Sequence, residues 1–389
     1  MEYRVKGTKV TALILCGICA LISGYAAMQF MQMRSPDLLI PAAGFKHHML
    51  SEWEPALKGT NMDTAVFIQD GEEPGGTVYV QGGIHANEPA GFMAAVVLLE
   101  NVSVKKGRLI IVPFVSNSAR THNSPQDAAP QSFRIEQEGG FRTFKFGSRA
   151  TNPVDQWPDP DIYIHYPSGQ KLDGSSRSNM NRSFPGIASD GITQLAGLAV
   201  VNLLKKENVK LAFDLHEASP EYPVVNAMVA HENAMELAAM TCMALEGDGI
   251  PMRLEPSPVN LRGLSHREWG DSVPGLMPLL MESGNPSQGR LRGRTDEALV
   301  LTGKDKAYKK AAKMGLLFIP YEGDQPLALR TARHVTGVRV ASETLGDLSP
   351  EDAVIFEGIP SYTDIRDGGV GKWLHRVPVI KTLIRGFAL

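Results

Sequence analysis

The chain is short of cysteine, aromatic residues and excess charge of either sign, and each shortage removes a class of protein. Its 389 residues include only Cys16, Cys19 and Cys242, and the first two lie in an apolar N-terminal run. One cysteine in the remainder excludes an intrachain disulfide framework, without assigning a compartment. Thirty-nine Lys and Arg against 42 Asp and Glu leave a net charge of −3, so no phosphate backbone is favoured and no nucleic acid partner is expected. There is no Gly-x-Ser-x-Gly elbow and no complete Gly-x-x-x-x-Gly-Lys loop, which sets serine and nucleotide hydrolases aside. Cys242 sits among Met and Ala and reads as a small hydrophobe rather than a thiol nucleophile. The 38 Gly and 26 Pro show no Gly-X-Y period and belong to turns and loops. What remains is a globular chain, 43% apolar and 21% charged. By length it forms two or three domains, or one large α/β unit with an appendage.

Between Lys9 and Arg34 no residue is charged, and residues 10–28 (VTALILCGICALISGYAAM) approach the roughly 20 apolar residues that span a bilayer as a helix. Arg4, Lys6 and Lys9 precede the run, and basic residues in a short N-terminal flank favour the cytoplasmic side. A single-pass signal anchor with an extracytoplasmic body is expected. A cleaved signal peptide is the alternative, given the small residues around Gly24-Tyr25-Ala26. Either way the body is exported.

Residues 35–60 hold several Pro and Gly with little periodicity and read as a spacer. Short apolar segments at 65–69 and 77–81 predict strands, residues 89–100 a helix and 108–115 a strand. Residues 116–177 turn polar and loop-like, with a small hairpin at 141–146, a length that points to a functional loop region. Alternation then resumes. Helices are predicted near 193–206, 233–245 and 295–317, and strands at 209–215, 224–229 and 276–281. Past 329, β-like pieces at 334–341 and 353–356 suggest a small β-rich portion. The last stretch, from 372, carries Lys372, Arg376, Lys381 and Arg385 without an acid. It reads as a packed terminus with basic side chains reaching solvent, or else as a contact with an anionic membrane surface. Strands separated by helices imply an α/β fold, a mostly parallel twisted sheet flanked by helices on both faces.

The informative run is Gly82-Gly83-Ile84-His85-Ala86-Asn87-Glu88-Pro89-Ala90-Gly91, where a predicted strand gives way to a helix. In open α/β sheets, ligands bind outside the carboxyl ends of strands. His85 and Glu88 can point at one cation there, and an imidazole with a carboxylate suits zinc. Among ten histidines only His85 has a Glu three residues later. Catalytic zinc takes three protein ligands and keeps one position open. His216, closing the apolar strand at 209–215, is the best third ligand.

With Ser178-Asn179-Met180-Asn181-Arg182-Ser183-Phe184 and Asp214-Leu215-His216 following in order, the chain resembles the zinc metallocarboxypeptidase superfamily, most closely its succinylglutamate desuccinylase and aspartoacylase branch. The resemblance covers residues 60–320. It implies one zinc on His85, Glu88 and His216, and hydrolysis of an amide bond in an N-acyl amino acid or short peptide. Asn181 and Arg182 would hold the substrate's carboxylate or polar end, a task that suits a guanidinium fork. Arg177 would polarise the scissile carbonyl, with Arg120 as its rival. Glu282, at the end of the strand at 276–281, is the expected general base, ahead of Glu217 and Glu268. Asp214 either orients a ligand or caps a turn. Tyr222 lies too close to His216 for the substrate-covering Tyr of digestive carboxypeptidases, which favours a deacylase. A metallocarboxypeptidase or cell-wall peptide amidase is the alternative, and a non-catalytic binding protein on the same fold is the reading of another class. The expected division is 1–34 anchor or signal segment, 35–60 spacer, 61–329 zinc hydrolase domain and 330–389 C-terminal portion.

Overall fold

A computed structural model describes residues 8–124, 129–321 and 323–376. Arg4, Lys6, Lys381 and Arg385 lie outside them. The uncharged run forms one helix, α1 (Lys9–Arg34), capped by Thr8, whose hydroxyl accepts the Thr11 N–H at 3.3 Å. It is long and apolar enough to cross a membrane, with a mean hydropathy of 2.1 and none of that window buried.

β1 (Lys46–Met49) pairs antiparallel with β2 (Ala65–Asp70), so part of the expected spacer belongs to the sheet. β3 (Glu73–Gly82), α2 (Pro89–Asn101) and β4 (Ser103–Val112) form a parallel β-α-β unit. Pro89 starts α2 because its missing N–H has no partner in a first turn anyway, and the Ala- and Leu-rich remainder carries the helix into the core. The long polar stretch holds two hairpins, β5 (Ser132–Gln137) with β6 (Gly140–Lys145), and β7 (Ile162–Ile164) with β8 (Lys171–Asp173).

Then come α3 (Ile192–Lys206), β9 (Leu211–Ala218), β10 (Ala227–Ala230), α4 (Met235–Gly247), β11 (Arg253–Pro256), α5 (Ser265–Ser272) and β12 (Met277–Gly284). The helix expected over 295–317 is two, α6 (Glu297–Thr302) and α7 (Lys306–Lys313), because Gly303 takes φ +60° and stops the first.

The sheet has nine strands, eight in the order β1-β2-β4-β3-β9-β12-β10-β11. β4, β3, β9 and β12 at its centre run parallel, with antiparallel pairs toward both sides. Alternation along the strands supplies both faces. Val78, Val80, Leu211 and Phe213 pack with α2 and α4, whereas Tyr79 and Ala212 pack with α3 and Trp269 of α5.

The β-rich reading of residues past 329 is overturned. Residues 334–341 lie inside a helix, α8 (Leu327–Leu348). Val335, Thr336, Val338 and Val340 look like strand formers. Val335 and Val338 also fall on a helical stripe with Ala332, Ala341 and Leu345, which is buried with α2 in the core, and that burial outweighs local preference. Of the β-like pieces, a strand forms only at β13 (Ile355–Glu357), paired with β4, and α9 (Tyr362–Gly368) follows.

Candidate metal centre

β3 and β12 flank β9 on either side, so the carboxyl ends of these strands meet at one edge. Beyond Gly82, Gly83 turns at φ +70° and drops His85 into the turn ahead of α2, with Glu88 at the helix start. Gly91 lets that helix approach, since a Cβ there would stand 2.1 Å from the Leu215 carbonyl oxygen. His216 comes from β9.

His85, Glu88 and His216 are 1%, 1% and 2% exposed. They offer donor atoms all within 4.8 Å of one another. His85 Nδ1 lies 2.8 Å from Glu88 Oε1, and His216 Nδ1 lies 3.0 Å from Glu88 Oε2. Each outer nitrogen is held elsewhere. His85 Nε2 donates to Asn179 Oδ1 at 2.9 Å, and His216 Nε2 donates to Asp214 Oδ2 at 2.9 Å. The Asn181 N–H at 3.0 Å fixes which end of the Asn179 amide is the oxygen. With Nε2 protonated on both rings, two imidazole lone pairs face one carboxylate, an arrangement made favourable by a proton or a cation between them. Burial draws His85 down to about 4, with Arg149 adding to it, which keeps this ring neutral and ready to ligate. Burial opposes charge on His216 as well, but Asp214 and Glu88 outweigh it and hold that ring well above its usual value. The buried carboxylate and two anchored imidazoles match the donors a catalytic zinc takes.

Glu282 is the register partner of His216 on β12. Its Oε2 is buried and accepts no hydrogen bond among the described residues. Burial raises its pKa to about 8, with Glu88 and Asp214 adding to the rise and His216 and Arg149 opposing it. The rivals are committed elsewhere. Glu217 is wholly buried, ion-paired to Arg330, and accepts the Ala90 N–H at 2.9 Å. Glu268 takes Arg262 at 2.8 Å and the Gly263 N–H at 2.9 Å.

Asn181 is buried and anchored by the Ser265 N–H at 2.9 Å. Arg182, half-buried, donates to the Asn181 carbonyl at 2.6 Å and has no carboxylate partner among the described residues. Burial and then Arg149 pull its pKa down to about 10, so this guanidinium is short of negative charge.

Arg177 is not brought to this group. Its Nε donates to Asp190 at 3.1 Å and its Nη1 to the Pro158 carbonyl at 3.3 Å, which ties it to the neighbouring loops. Arg120 is equally committed, wholly buried between Phe92 and Phe114 and paired with Asp37. Sequence reasoning missed Arg149, whose Nη1 donates to Glu88 Oε1 at 3.0 Å while its side chain stays 47% exposed. Nothing local marks it, because it lies 61 residues from Glu88 in the polar stretch. Asp214 resolves in favour of orienting His216.

No protein-family model and no curated protein matches the chain. Among solved structures it is similar to the cell shape determinant protein Csd4 from Helicobacter pylori, at 12% identity over 77% of this chain and 57% of that one, with a TM-score of 0.45. It is also similar to an aspartoacylase family protein from Mesorhizobium loti, at 20% identity over 64% of each chain and a TM-score of 0.38. A third is the ectoine utilization protein EutE (DoeB) from Ruegeria pomeroyi, at 19% identity over 59% of this chain and 55% of that one, TM-score 0.36. Each match spans less than two thirds of the other protein. At these values the chemistry has to be read from this chain's own residues.

Proposed function

We propose that this chain is a zinc-dependent amide hydrolase acting on N-acyl amino acids or short peptides, and that it belongs to the desuccinylase and aspartoacylase branch it resembles. The observation that carries this is the pairing of an anchored two-imidazole, one-carboxylate group with a carboxylate on the adjacent strand whose buried Oε2 accepts no hydrogen bond among the described residues. His85, Glu88 and His216 would hold the metal, which when bound polarises a carbonyl and acidifies water. Glu282 accepts the proton of the attacking water and returns it to the leaving nitrogen. Arg182, with Asn181 behind it, binds a substrate carboxylate. Arg149, in place of Arg177, faces the charge that develops on the carbonyl oxygen. The helix α1 anchors the chain in a membrane, with the body on the extracytoplasmic side.

The test is Glu282→Gln. Turnover of a panel of N-acyl amino acids and carboxyl-terminal peptides should fall by roughly 10²- to 10⁴-fold, the contribution of a positioned base. Zinc content should stay near one per chain, as three protein ligands imply. Unchanged, chelator-resistant turnover removes the mechanism. Zinc binding without turnover on any substrate favours a non-catalytic binding protein.

A further inference from the structure

The segment that follows α1 is built into the body. Asp37 is ion-paired to the wholly buried Arg120, and the Arg142 guanidinium donates to the Leu38 carbonyl. The Ile40 N–H reaches Glu100 at 3.3 Å, the Ala42 N–H reaches the Leu99 carbonyl at 2.9 Å, and Gln69 donates to the Ala43 carbonyl at 2.9 Å. The coupling begins inside the helix, because Lys145 Nζ donates to the carbonyls of Met33 at 3.1 Å and Ser35 at 2.7 Å. Between the membrane helix and the body there is no slack.

That rigidity determines how close the body lies to the bilayer. The apolar run ends at Met28 and spans about 28 Å at 1.5 Å per residue, close to the roughly 30 Å hydrocarbon thickness. Gln29 and Gln32 then lie at headgroup depth, and Met33 is only about 7–8 Å beyond Met28 along the axis. The element seated there is the β5–β6 hairpin. Gln29, Gln32, Phe141, Thr143 and Lys145 line one cavity of about 500 Å³ between the helix end and that hairpin. The outward face of the hairpin fits the interface. Phe141 is 56% exposed and sits opposite Glu136, and the Arg134 guanidinium 5.4 Å from its ring centre is paired with Glu297 at 3.4 Å, so the apolar ring is what this face offers to lipid.

We infer that residues 35–43 form a rigid strap holding the outward face of the β5–β6 hairpin in the lipid headgroup layer of the membrane that α1 crosses. The partner is a lipid surface, and the inference rests on the anchor reading above.

The experiment uses the full chain with its native cysteines replaced, carrying Phe141→Cys labelled with an environment-sensitive fluorophore, reconstituted into phosphatidylcholine and phosphatidylglycerol vesicles. A lipid quencher is placed at headgroup depth. A second version carries a Gly-Ser insert of about 20 residues between Arg34 and Ser35, whose ends separate by roughly 25 Å on average. The expected result is a loss of label fluorescence in the first version that disappears in the second, while circular dichroism of the two is the same. Equal quenching in both overturns the strap, since the hairpin would then reach lipid unaided. No quenching in either, with protein that still floats with the vesicles, overturns the inference and leaves the anchor standing. Intact protein that does not float removes the anchor reading and the inference together.

Discussion

Glu88 is the residue around which the charges of the site are arranged. It touches both imidazoles and the Arg149 guanidinium, and its Oε2 also accepts the Glu217 N–H at 3.0 Å. Arg149 is the only side chain of that group that is about half exposed, so it can meet a substrate from the solvent side. Arg149→Ala should lower kcat/KM by roughly 10²- to 10³-fold, the scale of one lost charge-stabilising donor, with zinc content retained. Arg177→Ala should leave kcat/KM nearly unchanged and cost about 1 kcal/mol or less in a denaturant titration, as expected for a partly exposed ion pair with Asp190. Equal kinetic effects would restore Arg177 to the reaction. The pH profile belongs to this scale too. As the proposed base Glu282 would act only when ionised, and burial raises its pKa to about 8, so kcat/KM should climb with pH along one limb. A divalent cation nearby favours the carboxylate, so zinc bound as proposed would move the midpoint below 8. Glu282→Gln should abolish that limb along with the rate.

Among the elements, α8 has the largest consequence for the site. It delivers Arg330 to Glu217, and the same arginine donates to the Gln325 carbonyl at 2.9 Å and the Val300 carbonyl at 2.6 Å. Glu217 in turn holds the first turn of α2 through the Ala90 N–H and the loop after β12 through Asn285 at 3.2 Å. α8 therefore supports the element that presents Glu88. Arg330→Met leaves a buried carboxylate without its cation and should destabilise the fold by about 3–5 kcal/mol. Adding Glu217→Gln to that variant should recover much of the loss, because the uncompensated charge is gone. Urea unfolding of both proteins gives the comparison, and a double variant no better than the single one would show that Arg330 acts through packing.

At the scale of the whole molecule, residues 37–43 are bonded to the body at Arg120, Arg142, Glu100, Leu99 and Gln69, so they should fold with it. A chain starting at residue 35 keeps Asp37 on Arg120 and should unfold near the Tm of the full chain. A chain starting at residue 44 removes Asp37 and strands Arg120 inside, beside Phe92 and Phe114. A stranded buried charge should cost it about 3–5 kcal/mol, read as a lower Tm. Equal melting of the two chains would mean that residues 35–43 add nothing to the fold. Stability should also respond to alkaline pH. Burial draws Lys145 down to about 8, below the value of an exposed lysine, so between those two values the unfolded chain binds more protons and stability rises with pH.

The sequence by itself determined the features whose cause is local. His85 and Glu88 share one turn, so their spacing alone brings them together, and strand periodicity places His216 and Glu282 near strand ends, where a parallel sheet makes its sites. The apolar N-terminal helix was legible for the same reason, since composition over one run decides it. Only tertiary structure decided which arginine faces Glu88, which glutamate keeps a buried oxygen without a hydrogen bond among the described residues, and whether residues 334–341 are strand or helix. It also decided that residues 37–43 are bonded to the body at several points. Each depends on partners far apart in the chain, as with Arg149 on Glu88, Arg330 on Glu217 and Arg120 on Asp37. Burial of charge makes such pairings obligatory, and no local pattern of residue types encodes them.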